Sequence, residues 1–232
     1  MTRQFEPIIA VHDLVVSFSR WGQSVSALKG LSISVNAGQW VLVAGHNGAG
    51  KSTLLKVIAG RIKPDSGQVK VQGHNINGLS SRELSTEIFM VHQDPLLGTA
   101  PSLTVFENLF VADQGAVGQS KTQLMNRYSS LVNSVGLADR MNQPAKLLSG
   151  GERQLLALVI ARLRQARSIL LDEPVAALDP KMVGICIEQI SEMHRQGSTI
   201  VQATHDIARF RSLADRLITV RAGQLVADEM LG

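Results

Sequence analysis

The chain has 232 residues, of which 44% are hydrophobic and 18% are charged, and its formal net charge is +4. This composition is ample for the core of a globular domain, and the length suits one large domain or two small ones. No apolar run approaches the roughly 18–20 residues of a membrane-spanning helix, and residues 1–18 lack the pattern of a signal peptide. Without a dense basic block, and with few aromatic side chains, nucleic acid is not an expected partner. The single cysteine, Cys186, lies in an apolar helical pattern, and we expect it to fill the core in a reducing compartment.

The first third of the chain alternates apolar segments with turns. Residues 8–18, 31–35 and 40–44 are predicted strands, with a tight turn at residues 36–38. A helix is predicted over residues 52–59, with Gly60 as its stop signal. Short strands are then predicted at residues 67–73 and 88–91.

The middle of the chain is richer in helices and loops. Two capping boxes are predicted, Ser80 with Glu83 and Thr104 with Glu107. Helices are predicted over residues 119–136 and 151–164. This part indicates a helical lobe, at roughly residues 94–165, inserted into a single domain that covers residues 1–232.

The last third alternates strands with helices. Strands are predicted at residues 168–171 and 199–203, helices at residues 181–195 and 206–213, and a hairpin at residues 217–228. Such alternation predicts an α/β fold with a mostly parallel sheet and right-handed crossovers. The early strands, by contrast, favour antiparallel pairing.

Residues 45–52, GHNGAGKS, match G-x-x-x-x-G-K-[ST] between a predicted strand and a predicted helix. Glycines at such spacing let backbone N–H groups approach phosphate oxygens closely, and the helix dipole adds to their attraction. Lys51 would neutralise terminal phosphates, and the Ser52 hydroxyl would bind Mg²⁺. The expected nucleotide-binding residues of this segment are Gly45, His46, Asn47, Gly48, Ala49, Gly50, Lys51, Ser52 and Thr53.

A buried strand in SILLDEP ends in two carboxylates, Asp172 and Glu173. Because neighbours on a strand point to opposite sides, one carboxylate can hold Mg²⁺ through water while the other addresses an attacking water. We expect Asp172 to be the magnesium ligand.

The segment LLSGGERQ places Ser149 at a helix N-cap, followed by Gly150 and Gly151. This arrangement predicts a second anion cradle built by the same physics as the first. Taken alone, the segment also fits an ordinary capped helix.

In their order along the chain, these motifs resemble those of the nucleotide-binding subunits of ATP-binding-cassette (ABC) transporters. The resemblance implies a P-loop NTPase core with an N-terminal antiparallel β subdomain and an inserted α-helical lobe. It also implies a Q-loop glutamine at Gln93, a signature at residues 148–154, a D-loop at residues 177–179 and a switch histidine at His205. Ser168 and Ala176 depart from the family pattern, which has an apolar residue and a serine at these places.

The resemblance further implies what each residue does. Glu173 would be the catalytic base and His205 would reach the γ-phosphate, while Gln93 would contact Mg²⁺ and water. Asp179 would act across a subunit interface. His46 lies at a variable position of the loop and is expected to have no catalytic role.

The assembly implied by the resemblance is a head-to-tail pair, either a homodimer or a pairing with another ABC ATPase subunit. Each ATP would lie between the phosphate loop of one subunit and residues 149–151 of the other. Integral membrane permease subunits, and a separate substrate-binding protein, would be the further partners. The chain would then be a cytoplasmic protein on the inner face of the cell membrane.

Adenine is expected to stack on an aromatic residue before the second strand. Trp21 fits the commoner spacing of the family, and Phe18 is the alternative.

Among ABC proteins, a transporter subunit fits best. The interval between Ser52 and Ser149 leaves no room for the long coiled coils of the chromosome ATPases, and translation-factor types carry two cassettes. Residues 92–110 are similar to bacterial uptake ATPases of the tryptophan and tyrosine type, which suggests small-molecule import. A lipid or lipoprotein exporter ATPase, and a soluble scaffold ATPase as in iron–sulfur assembly, remain alternatives.

Overall fold

A computed structural model describes residues 6–20, 23–176 and 178–231. Its strands are β1 (Ile9–Arg20), β2 (Gln23–Val35), β3 (Trp40–Ala44), β4 (Ser66–Val71), β5 (His74–Asn75), β6 (Ile88–Val91), β7 (Ser168–Asp172), β8 (Thr199–Ala203), β9 (Arg216–Arg221) and β10 (Gln224–Met230). Its helices are α1 (Lys51–Ile58), α2 (Ser81–Glu87), α3 (Val105–Ala112), α4 (Lys121–Asn133), α5 (Gly150–Arg164), α6 (Pro180–Arg195) and α7 (Ile207–Phe210).

The strands form two sheets of different character. One has the order β10-β9-β3-β8-β7-β6, in which every neighbouring pair from β9 to β6 is parallel and β10 is antiparallel to β9. The other has the order β2-β1-β4-β5, and all of its pairs are antiparallel. The predicted α/β fold, with a mostly parallel sheet and an N-terminal antiparallel subdomain, is confirmed.

The six-stranded sheet separates two hydrophobic cores. Along β3, Trp40 and Leu42 belong to the core shared with α3, α4, α5 and α6, whereas Val41 and Val43 belong to the core shared with α1 and the antiparallel sheet. This division follows from the strand period of two, which sends successive side chains to opposite faces. The phosphate loop and the second predicted cradle therefore begin helices that belong to different cores.

Capping boxes begin four of the helices, with Ser80, Thr104, Ser120 and Ser149 as N-caps. The two boxes predicted at Ser80 and Thr104 are confirmed. The box at Ser120, with Gln123, begins α4 at Lys121 rather than at residue 119. The helix ends at Asn133, ahead of Gly136 with its positive φ of 72°.

β2 and α7 also differ in length from their predictions. β2 begins at Gln23 rather than at residue 31, because residues 23–29 pair with β1, as in Phe18 opposite Val25. Polar residues and Gly30 hide this stretch in the sequence. The helix predicted over residues 206–213 is the short α7, whose Asp206 makes no side-chain capping bond.

Among the described helices, none combines the length and the apolar composition that crossing a bilayer requires.

Candidate functional site

The phosphate loop, residues 45–52, connects β3 to α1. Gly50 precedes α1 with φ 108°, and a Cβ there would lie 2.6 Å from the carbonyl oxygen of Ala27, so only glycine fits. Unlike the helices that begin with capping boxes, α1 has no side-chain cap and no acidic residue in its first turn. Its N-terminal amides are therefore oriented for an anion, and phosphate suits them.

A pocket of about 470 Å³ opens beside this loop. It is lined by Phe18, Ala27, Asn47, Gly48, Ala49, Gly50, Lys51, Ser52, Thr53, Gln93, Glu173 and His205. The structure thus brings the predicted loop residues from Asn47 to Thr53 together with the predicted glutamine, glutamate and histidine, although these come from four separate parts of the chain. The predicted Gly45 and His46 do not line this pocket.

Lys51 is buried against the loop that carries it. Its Nζ donates to the carbonyl oxygens of Gly45, at 2.8 Å, and His46, at 3.3 Å. The same ammonium lies 3.7 Å from Glu173 Oε1. A buried charge held by hydrogen bonds and one carboxylate can be aimed at an anionic ligand with little loss of side-chain freedom. His46 is exposed, and its Nδ1 lies 2.7 Å from the carbonyl oxygen of the neighbouring Asn47.

Glu173 and His205 form a second contact at the pocket. The Nδ1 atom of His205 lies 2.8 Å from Glu173 Oε2. Glu173 lies just beyond β7 and has φ 49°, a left-handed conformation that is rare for a residue with a side chain. The two neighbouring carboxylates contact different residues of the phosphate loop, because Asp172 accepts from Ser52 and Glu173 lies beside Lys51. The division of the magnesium and water roles between them stays a prediction.

Asp172 contacts the phosphate loop through Ser52. The Ser52 hydroxyl donates to Asp172 Oδ1 at 2.7 Å, and both residues line an adjoining space of about 380 Å³. Gln93 belongs to both spaces. A hydroxyl, a carboxylate and an amide oxygen are hard ligands of the kind Mg²⁺ takes, so these residues fit that ion. Nearby, burial and then the charge of Arg61 hold the pKa of His92 below its ordinary value.

The predicted second cradle lies outside this pocket. At the start of α5, Ser149 Oγ accepts a hydrogen bond from the Glu152 amide at 3.1 Å, and the Ser149 amide donates to Glu152 Oε2 at 2.8 Å. Ser149 and Gly150 are exposed, and Gly151 is buried against Met182. Among the described residues, those of the second cradle do not line the pocket beside the phosphate loop.

Asp179 has an intramolecular partner that was missed from the sequence. Its Oδ1 accepts hydrogen bonds from the amides of Lys181 and Met182, each at 3.0 Å, and so caps α6. The signal was present, because Asp followed by Pro at the first helical position is a common helix start.

Of the two candidates for adenine stacking, the structure describes one. Trp21 lies outside the described residues, as does Ala177 of the predicted D-loop. Phe18 lines the pocket with 43% of its surface exposed. Ala27, which was also missed, lines the same pocket, and nothing in its side chain could have marked it.

Two residues singled out in the sequence, Cys186 and Ser168, are buried in the core. Cys186 is fully buried, as predicted, and burial raises the pKa of its thiol to about 12. Ser168, the departure from the apolar pattern, is 1% exposed, and its hydroxyl makes no hydrogen bond with the described residues.

Comparison with known proteins gives a consistent result. The family model described as "ABC transporter" matches residues 28–176. A tyrosine transport ATP-binding protein of Clostridioides difficile is 35% identical over 229 residues, which cover 95% of this chain and 91% of that protein. A cell division ATP-binding protein of Streptococcus pneumoniae is 30% identical over 228 residues, which cover 97% of this chain and 96% of that protein. A solved dimeric ATP-binding cassette in a post-hydrolysis state, bound to ADP and phosphate, has a TM-score of 0.85 at 27% identity, over 97% of this chain and 99% of that one.

Proposed function

Because the chain belongs to the ABC transporter family and is an ABC-type ATPase, we propose that it powers a membrane transporter for the import of small molecules. The observation that carries the proposal is the convergence of Lys51, Glu173 and His205 on one pocket beside the phosphate loop. The loop binds the phosphates of ATP through its amides and Lys51, which stabilise charge on the transferring group.

The other site residues divide the remaining work. Ser52, Asp172 and Gln93 would hold Mg²⁺, which supplies positive charge to the phosphate oxygens when it is bound. Glu173 takes a proton from the attacking water, and its hydrogen bond to His205 fixes the carboxylate and brings that imidazole to the terminal phosphate. The left-handed backbone at Glu173 aims the carboxylate.

Two copies then act together. Ser149 and Gly150 are exposed, and neither lines the nucleotide pocket of its own chain. They therefore offer a surface that can face the pocket of a second copy. In a head-to-tail pair, this face would cover the ATP bound by the phosphate loop of the other copy. Asp179 would lie near the joint while capping α6. Solved relatives in dimeric form support this arrangement.

A groove beside the helical lobe supports a membrane partner. Two adjoining spaces, of about 310 and 190 Å³, meet at Phe89, Leu97 and Arg164. Leu97 and Val111 are 67% and 70% exposed, which is more apolar exposure than a free loop and helix need.

The rim of this groove is basic. The Arg164 guanidinium lies 5.6 Å from the centre of the Phe89 ring, and Arg61 lines the same groove. Neither arginine forms an ion pair with a carboxylate of the described residues. A short amphipathic helix with an acidic residue, from a permease subunit, would fit both features. The chain would then sit on the cytoplasmic face of the cell membrane.

Import of an amino acid or a similar molecule is the direction that the tyrosine and methionine transport relatives favour. The second candidate is export, as in a macrolide export ATP-binding/permease protein of Brucella abortus that is 32% identical. A separate substrate-binding protein belongs to the import proposal.

The test is co-purification of the chain with a multispanning protein after gentle solubilisation of host membranes. Val111→Asp should abolish recovery of that partner, because a charge would enter the apolar groove, and ATPase activity should persist. Val226→Asp, at a similarly exposed valine on β10, is the matched control and should recover the partner normally. Recovery with soluble proteins only, or equal behaviour of the two variants, would refute the proposal. A substrate-binding protein encoded or recovered with the complex would separate import from export.

A further inference from the structure

The turn between β9 and β10 approaches the phosphate loop more closely than a hairpin requires. Ala222 has φ 48° and Gly223 has φ 81°, as in a two-residue turn of type I′. Such a turn tolerates small polar residues such as asparagine at either position. Gly223 is more restricted, because a Cβ there would lie 2.6 Å from the carbonyl oxygen of Ala27 and 3.0 Å from Leu28 Cα.

Gly223 also connects two parts of the site through its own peptide groups. Its amide donates to the carbonyl oxygen of Ala49, inside the phosphate loop, at 2.9 Å. Its carbonyl oxygen accepts from the Lys29 amide of β2, also at 2.9 Å. One residue is thus bonded to the loop on one side and to the antiparallel sheet on the other.

The carbonyl oxygen of Ala27 limits the phosphate loop directly. Gly50 and Gly223 both face the Ala27 carbonyl oxygen, each at a distance that a Cβ would reduce to 2.6 Å. Ala27 lines the nucleotide pocket, and Ala49 is buried. Displacement of this oxygen by a side chain at position 223 would therefore be transmitted to Gly50 and to the amides that follow it.

We propose that Gly223 is a positioning residue, which fixes the phosphate loop against β2 through three backbone contacts. It does not line the pocket beside the phosphate loop, and acts through Ala49 and Ala27. The inference relies on the loop as the phosphate site. That premise has its own test, because Lys51→Ala would retain nucleotide affinity if the premise were wrong.

The experiment compares Gly223→Ala with Gly136→Ala. Gly136, after α4, has a similar φ of 72° and nothing within 4 Å of a Cβ, so its substitution carries the backbone strain without the close approach. We expect Gly223→Ala to lower kcat/KM for ATP on the order of 100-fold, since small misplacements of binding groups have effects of this size. Gly136→Ala should lower Tm comparably and leave KM and kcat unchanged. Gly223→Asn, which accepts a left-handed φ, should not restore activity.

Equal kinetic constants in the two alanine variants, or recovery in Gly223→Asn, would overturn the proposal. Hydrogen exchange of the wild-type chain decides the matter if Gly223→Ala does not fold. ATP should slow exchange at the Gly223 and Lys29 amides together with the loop, and to a greater extent than at the Gly136 amide, which bonds to Asn133. Protection that stops at the loop would also overturn it.

Discussion

Glu173 lies where the Lys51 ammonium and the His205 imidazole meet, at 3.7 and 2.8 Å from its two oxygens. The sequence was enough to predict the buried strand that precedes Glu173 and the place of its carboxylate at the strand end. Its left-handed φ of 49° was not readable, and its amide donates to the carbonyl oxygen of Ala203, a partner on β8 that lies far along the chain. Side-chain chemistry is local, whereas the direction of a side chain depends on distant strands.

Glu173→Gln should reduce ATP hydrolysis by about 10²–10⁴-fold, the usual contribution of a general base. Glutamine keeps the size and the hydrogen bonding of the residue but loses the anion, so ATP affinity should remain. Phosphate release and nucleotide binding measure the two effects. Glu192→Gln, at a half-buried glutamate of α6 that lies outside the pocket, should hydrolyse ATP normally. A Glu173→Gln protein with wild-type turnover would remove Glu173 from the base role.

Phe18 lines the pocket and is the alternative to Trp21 for stacking on adenine. Phe18→Ala should weaken binding of an ATP analogue by roughly fivefold or more, since stacking on a base contributes about 1 kcal/mol or more. Inorganic tripolyphosphate, which has no base, should bind equally to both proteins. Val25→Ala, opposite Phe18 on β2, is the control. If Trp21→Ala weakens binding and Phe18→Ala does not, the expectation from family spacing holds and Phe18 has no such role.

At the scale of elements, Ser149 caps α5 and also belongs to the proposed second cradle. Ser149 already accepts the Glu152 amide as an N-cap, which satisfies one of the free donors of the helix. The flanking Gly150 has nothing within 4 Å of a Cβ and remains open to a partner. The sequence could predict this cap and the glycines, yet not which molecule approaches them, because the ligand of an exposed helix start comes from outside the chain.

Ser149→Arg, made in the Glu173→Gln protein, should abolish the dimer that ATP and Mg²⁺ are expected to trap. A long side chain would occupy the space in which the other copy places its ATP. Size-exclusion chromatography with ATP, and with ADP, measures the change. Ser120→Arg is a matched control, since Ser120 is also an N-cap in a capping box, and it should lose helix stability without losing the dimer. Monomeric Glu173→Gln protein under all nucleotides, with the membrane partner present, would contradict the paired mechanism.

At the scale of the molecule, the alternation of strands and helices was enough to predict a parallel sheet. The order of its strands was not predicted, because β3 lies between β8 and β9, which follow it by more than a hundred residues of chain. Contacts of that kind are decided by the packing of whole faces. The early extent of β2 was missed for the same reason, since its register comes from β1 rather than from its own pattern.

The division into two cores has a consequence for how such a chain can diverge. Leu54 and Val57 of α1 lie under one face of the sheet, while Leu109 and Leu124 of the helical lobe lie over the other. Substitutions that share no packing partners have nearly independent effects on stability. Substitutions can therefore change the helical lobe and its groove to suit a different partner protein, while the core beneath the phosphate loop is retained. Relatives of 30–35% identity, named for work as different as tyrosine transport and cell division, are the outcome that such independence permits.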